Sequence, residues 1–190
     1  QYEVHARAEG QGWLVRSAAN TTFVGKCWPG ESSYLDLFQP HARAYWTSLY
    51  ERGPGSDDPP KKAAYKQLAD GRFEPTRTDG NAADRLGWPK WLHAWNDMNE
   101  PSVFDSDELT LPRDARHRVG VGDADERRMV DVEHRVVHNV YGSLQAAATH
   151  AGLLARTGGV ERPFLLSRSF FVGSQRHGAV WTGDNTASWE

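Results

Sequence analysis

Three short apolar runs, each ending in polar or acidic residues, constrain the fold of this chain more than any other feature. They are Trp91-Leu92-His93-Ala94-Trp95, which stops at Asn96-Asp97; Pro163-Phe164-Leu165-Leu166, which stops at Ser167-Arg168; and Gly178-Ala179-Val180-Trp181, which stops at Thr182-Gly183-Asp184. Short apolar runs bounded by turn residues read as buried strands. An earlier run from Thr22 to Trp28, punctuated by Pro29-Gly30, reads the same way.

Helical patterns lie between these runs. Behind Pro40, residues Ala42, Tyr45, Trp46 and Leu49 recur at helical spacing over His41 to Arg52. From Val132 to Leu154, residues Val136, Val140, Tyr141, Leu144, Ala148, Ala151 and Leu154 form one apolar face. Asp131 is the expected cap of that helix and Gly158-Gly159 its end. Gly53 to Leu86 is polar and turn-rich and reads as a variable insertion over 53–86, with a short helix near Ala63 to Ala69. Phe104 to Arg128 is charged and reads as loop. Strands alternating with helices predict an α/β fold with parallel strands. Strands that run out into polar loops at their C-terminal ends fit part of a (β/α)8 TIM barrel. Periodicity alone does not separate that from an open doubly wound sheet.

Composition narrows the partners. The 190 residues carry a net charge of −3, too near neutral to point to nucleic acid. No apolar run approaches the ~18 residues of a membrane span, so no membrane insertion is expected. The lone Cys27 excludes an intrachain disulfide. The chain opens at Gln1 and stops at Glu190 just after a motif-dense stretch, and so reads as an internal piece of a longer protein. Its eight Trp residues fit either a Trp-rich core or a site where sugar faces stack on indoles.

Two of the strand ends carry carboxylates beside aromatic and amide groups. Trp95-Asn96-Asp97-Met98-Asn99-Glu100-Pro101 is the denser cluster, and Trp181-Thr182-Gly183-Asp184-Asn185 the second. Each taken singly fits a capped turn. Together, at the ends of strands in one barrel, they could point into one pocket. Such a pair can hydrolyse a glycosidic bond, one carboxylate attacking the anomeric carbon and the other protonating the departing oxygen. The acid must be held protonated, and the residues alone do not say which Asp that is.

Other candidates are weaker. His134 and His138 have metal-ligand spacing on a helix, but Arg135 stands where a zinc peptidase needs Glu, so helix-surface or packing histidines are expected and no metal. Gly120-Val121-Gly122 lies in a charged loop, not between a strand and a helix, so no dinucleotide cofactor is expected. Ser167 and Ser169 lack a nucleophile-elbow pattern. Arg168, at a strand end, suits either sugar hydroxyls or a structural ion pair.

The stretch from Trp95 to Phe104 resembles the nucleophile signature of glycoside hydrolase family 31. Ser167 to Arg176, with Trp181 to Thr186, resembles the acid/base segment of that family. Within it, Val132-Glu133-His134-Arg135, His138 to Gly142, Cys27-Trp28-Pro29-Gly30 and Gly173 to Arg176 resemble the subgroup of endoplasmic-reticulum glucosidase II catalytic subunits. The likeness covers roughly residues 23–51 and 91–190. It implies a retaining exo-α-glucosidase acting on terminal glucose of N-linked glycans in the endoplasmic reticulum lumen, with a non-catalytic β subunit and no cofactor.

Carried over residue by residue, it implies Asp97 as nucleophile, Asp184 as general acid/base and Glu100 as support. Arg168 would bind sugar hydroxyls, with Trp28, Trp95, Met98, Phe104 and Trp181 as pocket walls. A catalytically silent sugar-binding module, or a relative cleaving α-xylosides, remain the alternatives. Tyr34-Leu35-Asp36-Leu37 departs from the family's Tyr-Pro-Asp-Phe but keeps the Asp. The strands present read as the third to sixth of eight, and two further sugar-binding segments of the family fall outside the chain. Residues 1–190 expressed alone are therefore expected to be poorly stable, with open sheet edges, and inactive. Substantial release of glucose by that purified fragment would refute this.

Overall fold

The computed structural model describes residues 2–50, 65–67, 73–75, 93–121, 128–186 and 188–189. Strands β5 (Ala94–Asn96), β8 (Leu165–Ser167) and β9 (Ala179–Val180) form one parallel sheet in the order β5-β8-β9. Asn96 stands opposite Ser167, and Ser167 opposite Val180. The ladder continues past the strand ends, because Arg168 N–H donates to the Asn96 carbonyl at 3.0 Å and Trp181 N–H to the Ser167 carbonyl at 2.9 Å. Asp97 and Arg168 therefore leave the sheet at the same level and on neighbouring strands. Three of the four expected strands thus make the parallel sheet.

Helix α4 (Tyr141–Arg156) covers this sheet. Ala146 and Leu153 on α4 pack with Leu165 of β8, and Tyr50 and Ala94 close the cluster. The helix ends as expected at the two glycines. Gly158, at φ 66°, donates to Ala155 O at 2.9 Å, and Gly159 N–H reaches Leu154 O at 3.0 Å. That pair of bonds satisfies carbonyls of the last turn and needs the left-handed backbone glycine allows. Helix α2 (Pro40–Ser48) has proline in its first turn, as expected, and crosses α4 closely. A Cβ on Gly152 would lie 2.3 Å from the Thr47 carbonyl oxygen, so the crossing requires glycine there. Trp46 Nε1–H donates to Thr149 Oγ1 at 2.8 Å across the same contact.

Several expectations change. The run from Thr22 to Trp28 is not a parallel strand. Its β1 (Val24–Cys27) pairs antiparallel with β2 (Gly30–Ser33) around a Trp28-Pro29 turn. The partner Gly-Glu-Ser-Ser has no apolar alternation, so nothing in its pattern announces a strand. The loop expected over Phe104 to Arg128 contains β6 (Arg116–Gly120), paired antiparallel with β7 (Met129–Glu133). Asp131 therefore lies within a strand and pairs with Arg16, and helix α3 (His134–Val137) starts only after Glu133. The alternating β-branched residues Val130 and Val132 favour the strand. A short 3-10 turn at His138–Val140 then separates α3 from α4.

The expected helix near Ala63 to Ala69 gives way to β3 (Tyr65–Gln67), antiparallel to β4 (Phe73–Pro75). Apart from these two strands, the insertion expected at 53–86 lies outside the described residues. The first helix, α1 (Glu3–Gly10), has a weakly apolar face and was not evident in the pattern.

The core is built around an extended segment the periodicity passes over, Trp13 to Arg16. Val15 is fully buried with Val103, Leu111 and Ala115, and Leu14 packs with Ala8, Tyr45 and Leu49. Beside it runs a buried polar line. Asp36 Oδ1 lies 2.9 Å from His117 Nδ1, His117 Nε2 is 2.9 Å from His134 Nδ1, and His134 Nε2 is 2.8 Å from His138 Nδ1. His134 and His138 thus bond to each other and to the core, the packing one of the two roles expected for them. Asp36, kept where Leu35 replaces a family proline, anchors the line.

Burial, then the neighbouring His117 and His138, pushes the His134 pKa from 6.5 down to about 3. A depressed histidine binds its proton in the unfolded chain first, so stability is full above about pH 6.5 and is lost as pH falls toward 3. The melting temperature of the intact gene product should fall between about pH 7 and about pH 4.5, and fall less in His134→Gln. An equal fall in both would refute this.

Candidate active site

The sheet's C-terminal edge gathers three carboxylates around one guanidinium. Arg168, the first residue after β8, donates from Nε to Glu100 Oε1 at 2.7 Å, and its Nη2 lies 3.4 Å from Glu100 Oε2. Its Nη1 lies 3.3 Å from Asp97 Oδ1 and 3.5 Å from Asp184 Oδ2. Nη2 also meets the Met98 sulfur at 2.9 Å. The carboxylates, Glu100 foremost through its hydrogen bond, raise the Arg168 pKa further above its ordinary value. Arg168 is therefore a fixed cation. Since Asp97 Oδ1 and Asp184 Oδ2 share one neighbouring nitrogen, they are at most about 7 Å apart, a ceiling that admits the ~5–5.5 Å of a retaining pair.

Local backbone geometry aims these groups. Met98, directly after Asp97, has φ 57°, and Asp184 has φ 58°. A non-glycine residue in the left-handed region costs about 1–2 kcal/mol, and such strain collects at functional sites. The peptide between Glu100 and Pro101 is cis. Asp97 Oδ1 accepts the Met98 N–H at 2.9 Å. Asp184 Oδ2 accepts from Trp181 Nε1–H at 3.3 Å, so the indole folds back over its own turn. Gly183 makes room for it, since a Cβ there would lie 2.3 Å from the Trp181 ring.

The aromatic residues fall into two pairs. Trp95 and Trp181 have ring centroids 5.2 Å apart, beside Asp184. Trp28, at the tip of the β1–β2 hairpin, stands edge-on to Phe104 at 5.1 Å. Trp28 is 78% exposed, which no core role explains. This second pair is tied to the loop that follows Asp97: Phe104 N–H donates to Lys26 O at 2.7 Å, and Lys26 N–H to the side chain of Asp105 at 2.9 Å. The tryptophans thus divide. Trp13 and Trp46 pack against the core, as one reading of the composition expected, while Trp95 and Trp181 lie beside Asp184 and Trp28 is exposed against Phe104.

A separate hollow of about 440 Å³, lined by Phe23, Val103, Asp105, Glu108 and Arg113 among others, contains none of the nine predicted site residues.

All of Asp97, Met98, Glu100, Arg168 and Asp184 come together as predicted. What the sequence reading missed are the buried groups beneath them, Asn99, Ser167 and Gly142. Asn99 lies inside the same motif, but its side chain turns away from the carboxylates into the core.

Residues 1–190 match the Glycosyl hydrolases family 31 TIM-barrel domain. The chain belongs to glycoside hydrolase family 31. It is 41% identical over 189 residues to neutral alpha-glucosidase AB of Sus scrofa, covering 100% of this chain and 16% of that one. Among solved structures, a glucosidase II alpha subunit in its alpha3-Glc2-bound form matches with TM-score 0.69 and 35% identity, over 100% of this chain and 16% of that one. The catalytic subunit in a heterodimeric ER glucosidase II complex, solved with the binding domain of its regulatory subunit, matches with TM-score 0.68 and 36% identity over the same shares. The chain therefore spans about one sixth of the length of the family 31 relatives it matches. Among the described residues, no helix is long and apolar enough to cross a membrane.

Proposed function

We propose that this chain supplies the two catalytic carboxylates of a retaining exo-α-glucosidase that removes terminal α-linked glucose from N-linked glycans. The observation that carries the proposal is the single Arg168 Nη1 within 3.3 Å of Asp97 and 3.5 Å of Asp184. The contacts of Asp97 with Arg168 and with the Met98 N–H both fall on Oδ1, which leaves Oδ2 to attack.

The reaction runs in two displacements. Asp97 Oδ2 bonds to the anomeric carbon as the bond from that carbon to the leaving oxygen breaks. The leaving oxygen takes the proton of Asp184. Asp184 then removes a proton from water, whose oxygen bonds to the anomeric carbon and releases the Asp97 carboxylate. One water is consumed, and glucose leaves with its configuration retained. Both transition states carry positive charge on the sugar, and three carboxylates around one guanidinium leave net negative charge to stabilise it. Glu100 acts through Arg168 by occupying its Nε side, so that Nη1 faces the other two carboxylates. The Trp95–Trp181 and Trp28–Phe104 pairs offer apolar faces to the sugar. This chemistry needs no cofactor.

In this reading the chain contributes consecutive strands of the catalytic barrel, and the remaining barrel segments complete the glucose pocket. The likeness to an ER glucosidase II catalytic subunit solved with part of its regulatory subunit supports a lumenal setting and a non-catalytic β subunit as partner.

In the intact gene product, Asp97→Ala should lower release of glucose from an α-glucoside by several orders of magnitude, with the fold retained by circular dichroism. Added azide should restore turnover as the inverted glycosyl azide. Absence of glucose release by the parent from any α-glucoside or glucosylated glycan would refute the proposal and favour sugar binding without catalysis, or another sugar.

Arg168→Lys keeps the charge but loses the planar fork that reaches three carboxylates. Hydrogen bonds to charged groups are worth about 1.5–3 kcal/mol, so kcat/KM should fall about 10–100-fold. Unchanged kcat/KM would remove Arg168 from the site.

A further inference from the structure

Asn99 is 3% exposed and lies two residues past Asp97, yet its side chain does not face the carboxylates. Asn99 Nδ2–H donates to Ser167 Oγ at 2.9 Å, Ser167 Oγ–H donates to the Ser169 carbonyl at 2.7 Å, and Ser169 N–H donates to Asn99 Oδ1 at 2.8 Å. The three bonds close a ring. The backbone N–H of Ser169 can only donate, so it fixes which end of the amide is oxygen. The residue enclosed between Ser167 and Ser169 is Arg168, whose own N–H is held by the Asn96 carbonyl at 3.0 Å.

Helix α4 presses on this ring from below. A Cβ on Gly142 would fall 2.6 Å from Ser169 Oγ and 2.7 Å from the Asn99 carbonyl oxygen, so only glycine allows the approach. The ring thus joins the loop that carries Asp97 to the turn that carries Arg168, and rests both on a helix.

We propose that Asn99, Ser167 and Gly142 are positioning residues for the hydrolytic reaction: they set the distance between Asp97 and Arg168 without touching substrate. This rests on the carboxylate assignment above. A misplacement of about 1 Å costs roughly 100-fold in rate. The glucose-facing aromatic rings are untouched, so binding is spared.

The test is made in the intact gene product. The fraction of competent sites is titrated with 5-fluoro-α-glucosyl fluoride, which loses fluoride as its anomeric carbon bonds to Asp97. Asn99→Ala and Ser167→Ala should lower kcat per titrated site about 100-fold with KM within about threefold, and Ser167→Thr, which keeps the hydroxyl, should stay near the parent. A parental kcat per titrated site in Ser167→Ala overturns the proposal, and that variant decides alone if Asn99→Ala does not fold. Loss of competent sites with full activity in those that remain also overturns it, because that is structure without positioning. Asp97→Ala runs alongside. If it is inactive while the alanine variants match the parent, the ring alone is refuted. If Asp97→Ala keeps parental turnover, the carboxylate assignment fails and takes this proposal with it.

Discussion

The site depends on one guanidinium among three carboxylates. Without Arg168, the carboxyl groups of Asp97, Glu100 and Asp184 would crowd the end of a three-stranded sheet with little to hold them in register. With it, each has a fixed neighbour. An arginine suits the place because its nitrogens lie in one rigid plane and its charge does not titrate away. The sheet makes this possible. Parallel pairing puts Asn96 level with Ser167 and Ser167 level with Val180, so the residues that follow emerge side by side.

Much of this was legible in the residues. The strands that matter are short, apolar and punctuated, and their terminal carboxylates stand next to tryptophans. Of the three only β8 is mostly buried, through Leu165 and Ser167, while Trp95 of β5 and Ala179 of β9 are exposed. The long helix ends at Gly158 as read, since its closing bonds need a residue free of Cβ strain.

The misreadings have a common cause. At β6 the inward residue is His117, which is fully buried yet polar, so no apolar alternation marks the strand. Its partner β7 carries Val132, which also opens the helical pattern that runs to Leu154, so the strand stays hidden until the pairing is seen. Trp13 to Arg16 is too short to show a period at all, and Val15 is buried only because distant segments fold over it. Of the site, the charged groups were evident, while the amide and hydroxyl beneath them were not. Their function lies in pairing across strands, which no local spacing reports.

The buried line from Asp36 has a further consequence. Asp36 accepts from the Arg118 N–H at 2.7 Å, from Gln39 Nε2 at 3.0 Å and from the Phe38 N–H at 3.4 Å, as well as facing His117. A carboxylate so surrounded by donors can only accept. His117 must therefore carry a hydrogen on Nδ1; as a neutral imidazole it then accepts at Nε2, which requires the hydrogen of His134 on Nδ1. The same step repeats to His138. The polarity of the whole line is dictated from one end. Histidine tautomers normally exchange within a folded protein, but here a single aspartate makes three imidazoles point their dipoles one way. Replacing it with a group that can also donate would leave two opposite orderings of the same core, and the interior would lose its single arrangement without losing an atom of its packing.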